Sequence, residues 1–225
     1  MSKRMAASAG RVLLGGVLYL FFLSGMASAD QVQLNDFLDR VEEKAATVSS
    51  FRCNFIQERH LSIFPEPVIF SGSLSLERPD RLRWEFTEPI PSVLILNGSS
   101  GAKCEPSGKK IRFSLDSDPV MRLVARQLWS WTSGSYREMG DEFAMAFSAG
   151  PLLSMTPVKG GAAVFISRIQ VRFDPETLQP VRVSIMEPAG DRTELFFSAY
   201  QLNLQLPPAT FSECPVEKER TQIKQ

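Results

Sequence analysis

Ser71-Gly72-Ser73-Leu74-Ser75-Leu76-Glu77-Arg78-Pro79-Asp80-Arg81-Leu82-Arg83-Trp84-Glu85-Phe86 holds two runs of strict alternation joined by a turn. Gly72, Leu74 and Leu76 alternate with serines and Glu77, while Leu82, Trp84 and Phe86 alternate with Arg81, Arg83 and Glu85. Successive side chains on a strand point to opposite faces, so each run has one apolar and one polar face. That is the pattern of an antiparallel sheet covered on one side. Arg78-Pro79-Asp80 supplies the turn. Outward from this stretch, Phe70 extends the first run, and Ile111, Phe113 and Leu115 alternate with Lys110, Arg112 and Ser114. Phe143-Met145-Phe147, Val164-Ile166, Ile169-Val171-Phe173, Val181-Val183-Ile185 and Leu195 to Tyr200 read the same way. Turn signals at Asn97-Gly98, Ser107-Gly108, Lys159-Gly160-Gly161, Asp174-Pro175-Glu176-Thr177 and Pro188-Ala189-Gly190-Asp191 separate the runs. The spacing predicts a mainly β chain with a few helices, its sheet curled into a barrel or half-barrel.

Two segments change period. Leu34, Phe37, Leu38, Val41, Ala45 and Val48 recur at helical spacing, ending at Ser49-Ser50. Asp116-Ser117-Asp118 offers caps, Pro119 suits a first helical turn, and Ser133-Gly134 is a stop. Between them Val120, Leu123, Val124, Leu128 and Trp131 form an apolar stripe that Met121, Ala125 and Trp129 widen. A helix so apolar between strands must cover something, either as ordinary core or as a lid over an apolar cavity.

The 225 residues carry 25 basic and 25 acidic side chains, and this balance argues against nucleic acid as a partner. The chain opens with Lys3, Arg4 and Arg11, an apolar run from Val12 to Leu23, and Ala27-Ser28-Ala29. Basic, apolar and small-residue regions in that order predict a secretory signal peptide over residues 1–29. Cleavage leaves 22 basic against 25 acidic residues, and no cysteine stands near the cut to accept a lipid. The expected product is a soluble domain over 30–212 with a polar, frayed tail over 213–225. In an exported chain, Cys53, Cys104 and Cys214 allow one disulfide and one thiol, or three unpaired small apolar residues, and their spacing does not choose among these.

The catalytic inventory is thin. His60 is the sole histidine, so neither a multi-histidine zinc site nor a triad has its parts, and a surface role fits it better. Ser100-Gly101-Ala102-Lys103 matches a Ser-x-x-Lys spacing inside a hairpin, without the partner motifs. Glu85 and Glu88 are read as solvent-facing rather than as a glycosidase pair. No cofactor or metal is implied. The abundant feature is apolar and aromatic surface on strands beneath an apolar helix, which suits a solid core or a pocket for an acyl chain.

Phe51-Arg52-Cys53-Asn54-Phe55-Ile56-Gln57-Glu58 resembles the Phe-x-Gln segment of the LolA family of periplasmic lipoprotein carriers. The Gly72-to-Phe86 stretch, with Arg78-Pro79 leading to Leu82 and Trp84 and then Pro89, resembles that family's Arg-Pro-x-x-Phe/Leu-x-Trp motif. Asp118-Pro119-Val120-Met121, Asp174-Pro175-Glu176-Thr177 and Gln201-Leu202-Asn203 ahead of Phe211 fit as well, so the likeness runs from about Leu34 to about Phe211. It implies a half-open antiparallel barrel closed by a helical lid, and a monomer that accepts acyl chains of lipoproteins, or other lipids, in an apolar cavity. An inner-membrane transporter would release the cargo to it, and an outer-membrane acceptor, itself a lipoprotein, would receive it. Arg78 matches the family's lid latch. The implied cavity lining is Phe55, Phe70, Leu74, Leu76, Leu82, Trp84, Phe86, Phe113, Val120, Leu123, Val124, Leu128 and Trp131. Leu82 stands where the family often has Phe. The ending Phe211-Ser212-Glu213-Cys214-Pro215-Val216 lacks the family's hydrophobic terminus, so another envelope lipid is the alternative cargo.

Overall fold

A computed structural model describes residues 14–158 and 160–214. Residues 1–13 of the expected leader and the tail beyond 214 lie outside that range. Helix α1 spans Leu14–Ala46, starting earlier than the periodicity from Leu34 indicates. Strands β1 (Ser50–His60), β2 (Val68–Glu77), β3 (Arg81–Glu88), β4 (Ser92–Asn97), β5 (Ser100–Cys104) and β6 (Lys110–Ser114) follow. Helix α2 occupies Pro119–Ser133, with the Met121 amide donating to the Asp118 carboxylate as its N-cap. A short 3-10 turn at Tyr136–Met139 leads into β7 (Phe143–Ser148), β8 (Leu152–Pro157), β9 (Arg168–Phe173), β10 (Pro180–Met186) and β11 (Arg192–Leu202). Val164-Ile166 is not a strand: Gly161–Val164 forms a 3-10 turn instead. Ala162 and Ile166 pack onto the core from this turn, leaving Val164 and Phe165 outside, so the in-out alternation there comes from one helical turn.

The eleven strands form one antiparallel sheet in the order β6-β5-β4-β3-β2-β1-β11-β10-β9-β8-β7. Its end strands, β6 and β7, do not pair, which leaves the half-open barrel expected from the sequence. Register places Phe55, Gly72 and Phe86 in one cross-strand row, with Cys53, Leu74, Trp84 and Leu94 in the next. Gly72 is required where it stands. A Cβ there would lie 1.9 Å from the Glu85 carbonyl oxygen and 2.9 Å from the Phe55 ring. Without one, the rings of Phe55 and Phe86 meet edge to face at 5.1 Å.

Each helix covers one half of the concave face. Leu34, Phe37, Leu38 and Val41 of α1 pack on the β7–β11 half, where Phe37 stacks on Phe147 at 4.4 Å. Ala125 and Leu128 of α2 pack over β1–β4 against Phe51, Cys53, Leu74, Leu76, Leu82 and Leu96. A third cluster lies on the convex face, where Val93, Ile95, Ala102 and Cys104 are covered by Phe211 and Leu206 of the C-terminal segment. Cys104 and Cys214 form the disulfide, and Cys53 remains a buried thiol. Arg83 donates to the carbonyls of Thr210 and Glu213 and Lys110 to that of Ser212, so the segment is clamped along its length. The anchored chain therefore reaches Cys214, two residues beyond the domain end expected from composition.

An apolar cavity and its arginine clasp

Where the two helices meet, the sheet is incompletely filled. One cavity of about 30 Å³ is bounded by Phe51, Leu74 and Trp84 from the sheet, Leu128 and Thr132 from α2, and Gln179, Pro180, Val183, Phe197 and Tyr200 from the far half. A second, of about 20 Å³, shares Phe51, Thr132, Gln179 and Pro180 with it and extends past Val48 and Leu76 to Arg78. The two form one seam beneath the C-terminal half of α2. Each has room for a water or so and not for an acyl chain. Trp84 Nε1 is buried without a hydrogen-bond partner among the described residues, a state that costs about 1–3 kcal/mol.

Arg78 closes the seam at its lower end. Its Nε donates to Val48 O at 2.9 Å, and its Nη2 donates to Ala45 O at 3.1 Å and Ser133 O at 2.9 Å. These acceptors are carbonyls at and just beyond the C-terminal ends of α1 and α2, where helices leave carbonyls unsatisfied and partial negative charge accumulates. One guanidinium thus ties both covers to the β2–β3 turn. Gly134 makes the approach possible. It has φ +79°, and a Cβ on it would come within 2.7 Å of the Ala45 Cβ. Arg137 adds a second tie to α1, donating to Asp39 Oδ1 and Asn35 O, both at 2.8 Å.

Of the lining expected from the sequence, Leu74, Leu76, Trp84 and Leu128 border the seam. Phe55, Leu82, Phe86 and Phe113 pack into the core clusters beside it and do not border either cavity. Phe113 sits against Gly101, whose missing side chain makes its place. Phe70 touches the edge of Phe86 at 6.0 Å. Val120, Leu123, Val124 and Trp131 belong to α2, and their side chains lie outside the described residues. Sequence reading missed Tyr136, Thr132, Gln179, Pro180 and Tyr200. Tyr200 carries a signal only in hindsight. The positive φ of Ala199 at the β1–β11 irregularity breaks the alternation and aims Tyr200 inward, where it donates to Pro180 O at 2.8 Å.

The groups with reactive potential are quiet. Burial pushes the Cys53 thiol up to about 12, and hydrogen bonds with Tyr200 and the Leu74 backbone offset only part of that. Burial likewise raises Tyr136 and Tyr200 well above the ordinary phenol value. His60 stands 3.2 Å from Glu58 Oε2, away from the seam. Glu85 is paired with Arg83 at 2.8 Å. No cluster among the described residues could hold a metal ion.

A family model described as outer membrane lipoprotein carrier protein LolA matches residues 46–214, which is 169 of the 225 residues. The chain belongs to the LolA family. Its relatives are distant. It is similar to an outer-membrane lipoprotein carrier protein of Pseudoalteromonas translucida, 20% identical over 182 residues, covering 79% of this chain and 82% of the relative. It is also similar to one of Dechloromonas aromatica, 22% identical over 188 residues, covering 81% and 82%. Among solved structures, a conserved protein from Thermus thermophilus aligns with TM-score 0.51 at 10% identity, over 82% of this chain and 96% of that one. That likeness shows the fold alone.

Proposed function

We propose that this protein is a periplasmic carrier that takes the acyl chains of lipoproteins into the seam beneath α2 and moves them from the inner to the outer membrane. The observation that carries this reading is an apolar seam held nearly shut by a single arginine that binds the ends of both covering helices. With cavities of only about 30 and 20 Å³ the seam is a closed state, and cargo enters only as α2 lifts. Burying acyl methylenes gains about 0.8 kcal/mol each. Some ten of them therefore outweigh the few kcal/mol of charged hydrogen bonds at the clasp. An ester carbonyl reaching Trp84 Nε1 would supply its missing acceptor. A protein built this way needs no catalytic group, in keeping with a suppressed thiol and an outlying histidine.

Residues 1–29 direct export as a signal peptide and are removed by cleavage after Ala29. Among the described residues no helix is long and apolar enough to cross a membrane. The partners are an inner-membrane releasing transporter and an outer-membrane acceptor lipoprotein whose own cavity binds the chains more favourably. A second reading, carriage of another envelope lipid, is favoured by the C-terminal segment, which is stapled to the convex face by Cys104–Cys214. Purification from the periplasm of the native host, with mass spectrometry of bound material, tests both. Acylated lipoprotein supports the first reading and a distinct lipid the second. Protein that carries neither, and takes up neither when offered them, refutes the carrier.

A further inference from the structure

The convex face of β9, β10 and β11 carries arginines that the carrier reading leaves unused. Arg172 on β9 and Arg182 on β10 stand directly opposite each other in register. With Arg192 of β11 they border a hollow of about 200 Å³ that Glu194 also lines. Like charges placed opposite across two strands destabilise a sheet, so this arrangement opposes stability. Three guanidiniums share one lining carboxylate. Glu58, opposite Glu194 on β1 and 3.2 Å from His60 Nε2, adds a second negative charge that acts on Arg182, but it does not line the hollow.

Glu194 does more than neutralise. Its side chain is 4% exposed, and its Oε2 accepts from Arg182 Nε at 2.8 Å and from the Ser184 hydroxyl, while its Oε1 lies 3.2 Å from Arg192 Nε. Both arginines are gripped by Nε, which leaves the Nη ends of each fork for another acceptor, and both side chains remain 45% exposed. Arg172 is steadied by donation from Nη1 to Gly150 O at 3.1 Å. A buried carboxylate thus orients cations toward an open hollow, an arrangement that lowers the ordering cost of binding an anion.

We propose that this hollow binds a phosphate group, as a free phosphate ester or as a phospholipid headgroup, at a site separate from the acyl seam. A planar carboxylate is served by one arginine fork, and the protein already supplies one in Glu194. A tetrahedral phosphate offers acceptor oxygens in several directions, matching guanidiniums brought from three strands. The test uses the purified protein with glycerol 3-phosphate in isothermal titration. In parallel, it uses co-sedimentation with phosphatidylcholine vesicles with and without phosphatidic acid, at physiological salt. Saturable binding of glycerol 3-phosphate identifies a site for free esters, and binding to phosphatidic acid vesicles alone identifies a headgroup site. In either case Arg172→Gln, which leaves every Glu194 bond in place, weakens binding about tenfold or more, and Arg172→Lys restores part of it. No binding in either arm, or binding unchanged by Arg172→Gln, overturns the proposal. So does a poly-glutamate peptide that binds where both phosphate probes fail, since that assigns the face to an acidic protein.

Discussion

Replacing Arg78 by leucine should loosen α2 and the C-terminal end of α1 while sparing the far strands, and the geometry sets the size of the effect. Leucine keeps an apolar stem and removes three donated hydrogen bonds, of which only the one to Ser133 O reaches α2. A hydrogen bond from a charged group contributes about 1.5–3 kcal/mol, and the interaction with a helix C-terminus adds a few tenths. Arg78 is half-buried, which favours the lower part of that range. A loss of about 1.5–2.5 kcal/mol from lid closure raises the open fraction roughly ten- to sixty-fold, at about 1.4 kcal/mol per factor of ten. Because apparent affinity scales with the competent fraction, the variant should hold acyl cargo more tightly and surrender it more slowly. Amide hydrogen exchange measures the lid directly. Protection in α2 should fall about tenfold or more, while protection in β9 and β10, which Arg78 does not touch, stays the same. Protection in α2 within twofold of wild type would sink the clasp. An equal fall in every strand would show that Arg78 serves overall stability and not the lid.

Gly72→Ala should cost about 1–3 kcal/mol in urea unfolding, because the new Cβ meets the Glu85 carbonyl and the Phe55 ring, and an unchanged midpoint would contradict the close approach. Replacing Cys104 and Cys214 together by serine removes a link of sequence separation 110 and should lower stability by about 2–5 kcal/mol. The double variant should be indifferent to reductant, and a wild type equally indifferent would refute the bond. Desolvation pushes the Glu194 carboxyl up, but hydrogen bonds from Arg182 and Ser184 and the charges of Arg182 and Arg192 outweigh it and hold the group below its ordinary 4.5. A carboxyl lowered on folding stabilises above its unfolded value, and that contribution fades as the pH falls through the lower folded value. Glu194→Gln should therefore flatten the loss of stability on acidification below about pH 4.5, and parallel wild-type and variant pH curves would rule this out.

The strands that alternate cleanly, such as Leu82-Trp84-Phe86 and Ile169-Val171-Phe173, were legible because one face meets the core and the other water. Val93-Leu94-Ile95-Leu96 was not. Both of its faces are covered, Leu94 and Leu96 by the concave core and Val93 and Ile95 by Phe211 and Leu206. That second cover comes from a segment over a hundred residues away, whose charged continuation suggested only fraying. At the site, the family motif singled out Arg78, but its acceptors are backbone carbonyls at two helix ends, and a carbonyl leaves no mark in a sequence. The greasy helix was readable as a cover. How little space it leaves beneath it depends on closed packing, which no periodicity encodes.

The staple between Cys104 and Cys214 also makes the fold self-reporting. Between its two sulfurs run β6, the lid helix and the whole far half of the sheet, and the second cysteine reaches the first only after β11 has returned to β1 and the terminus has crossed the back of β3 and β4. The third thiol, Cys53, lies on the opposite side of the wall beneath the lid, out of reach of both. Oxidation of the right pair is thus a seal set on a finished container, and which cysteine stays free, Cys53 or one of the other two, tells a correctly closed molecule from a mispaired one.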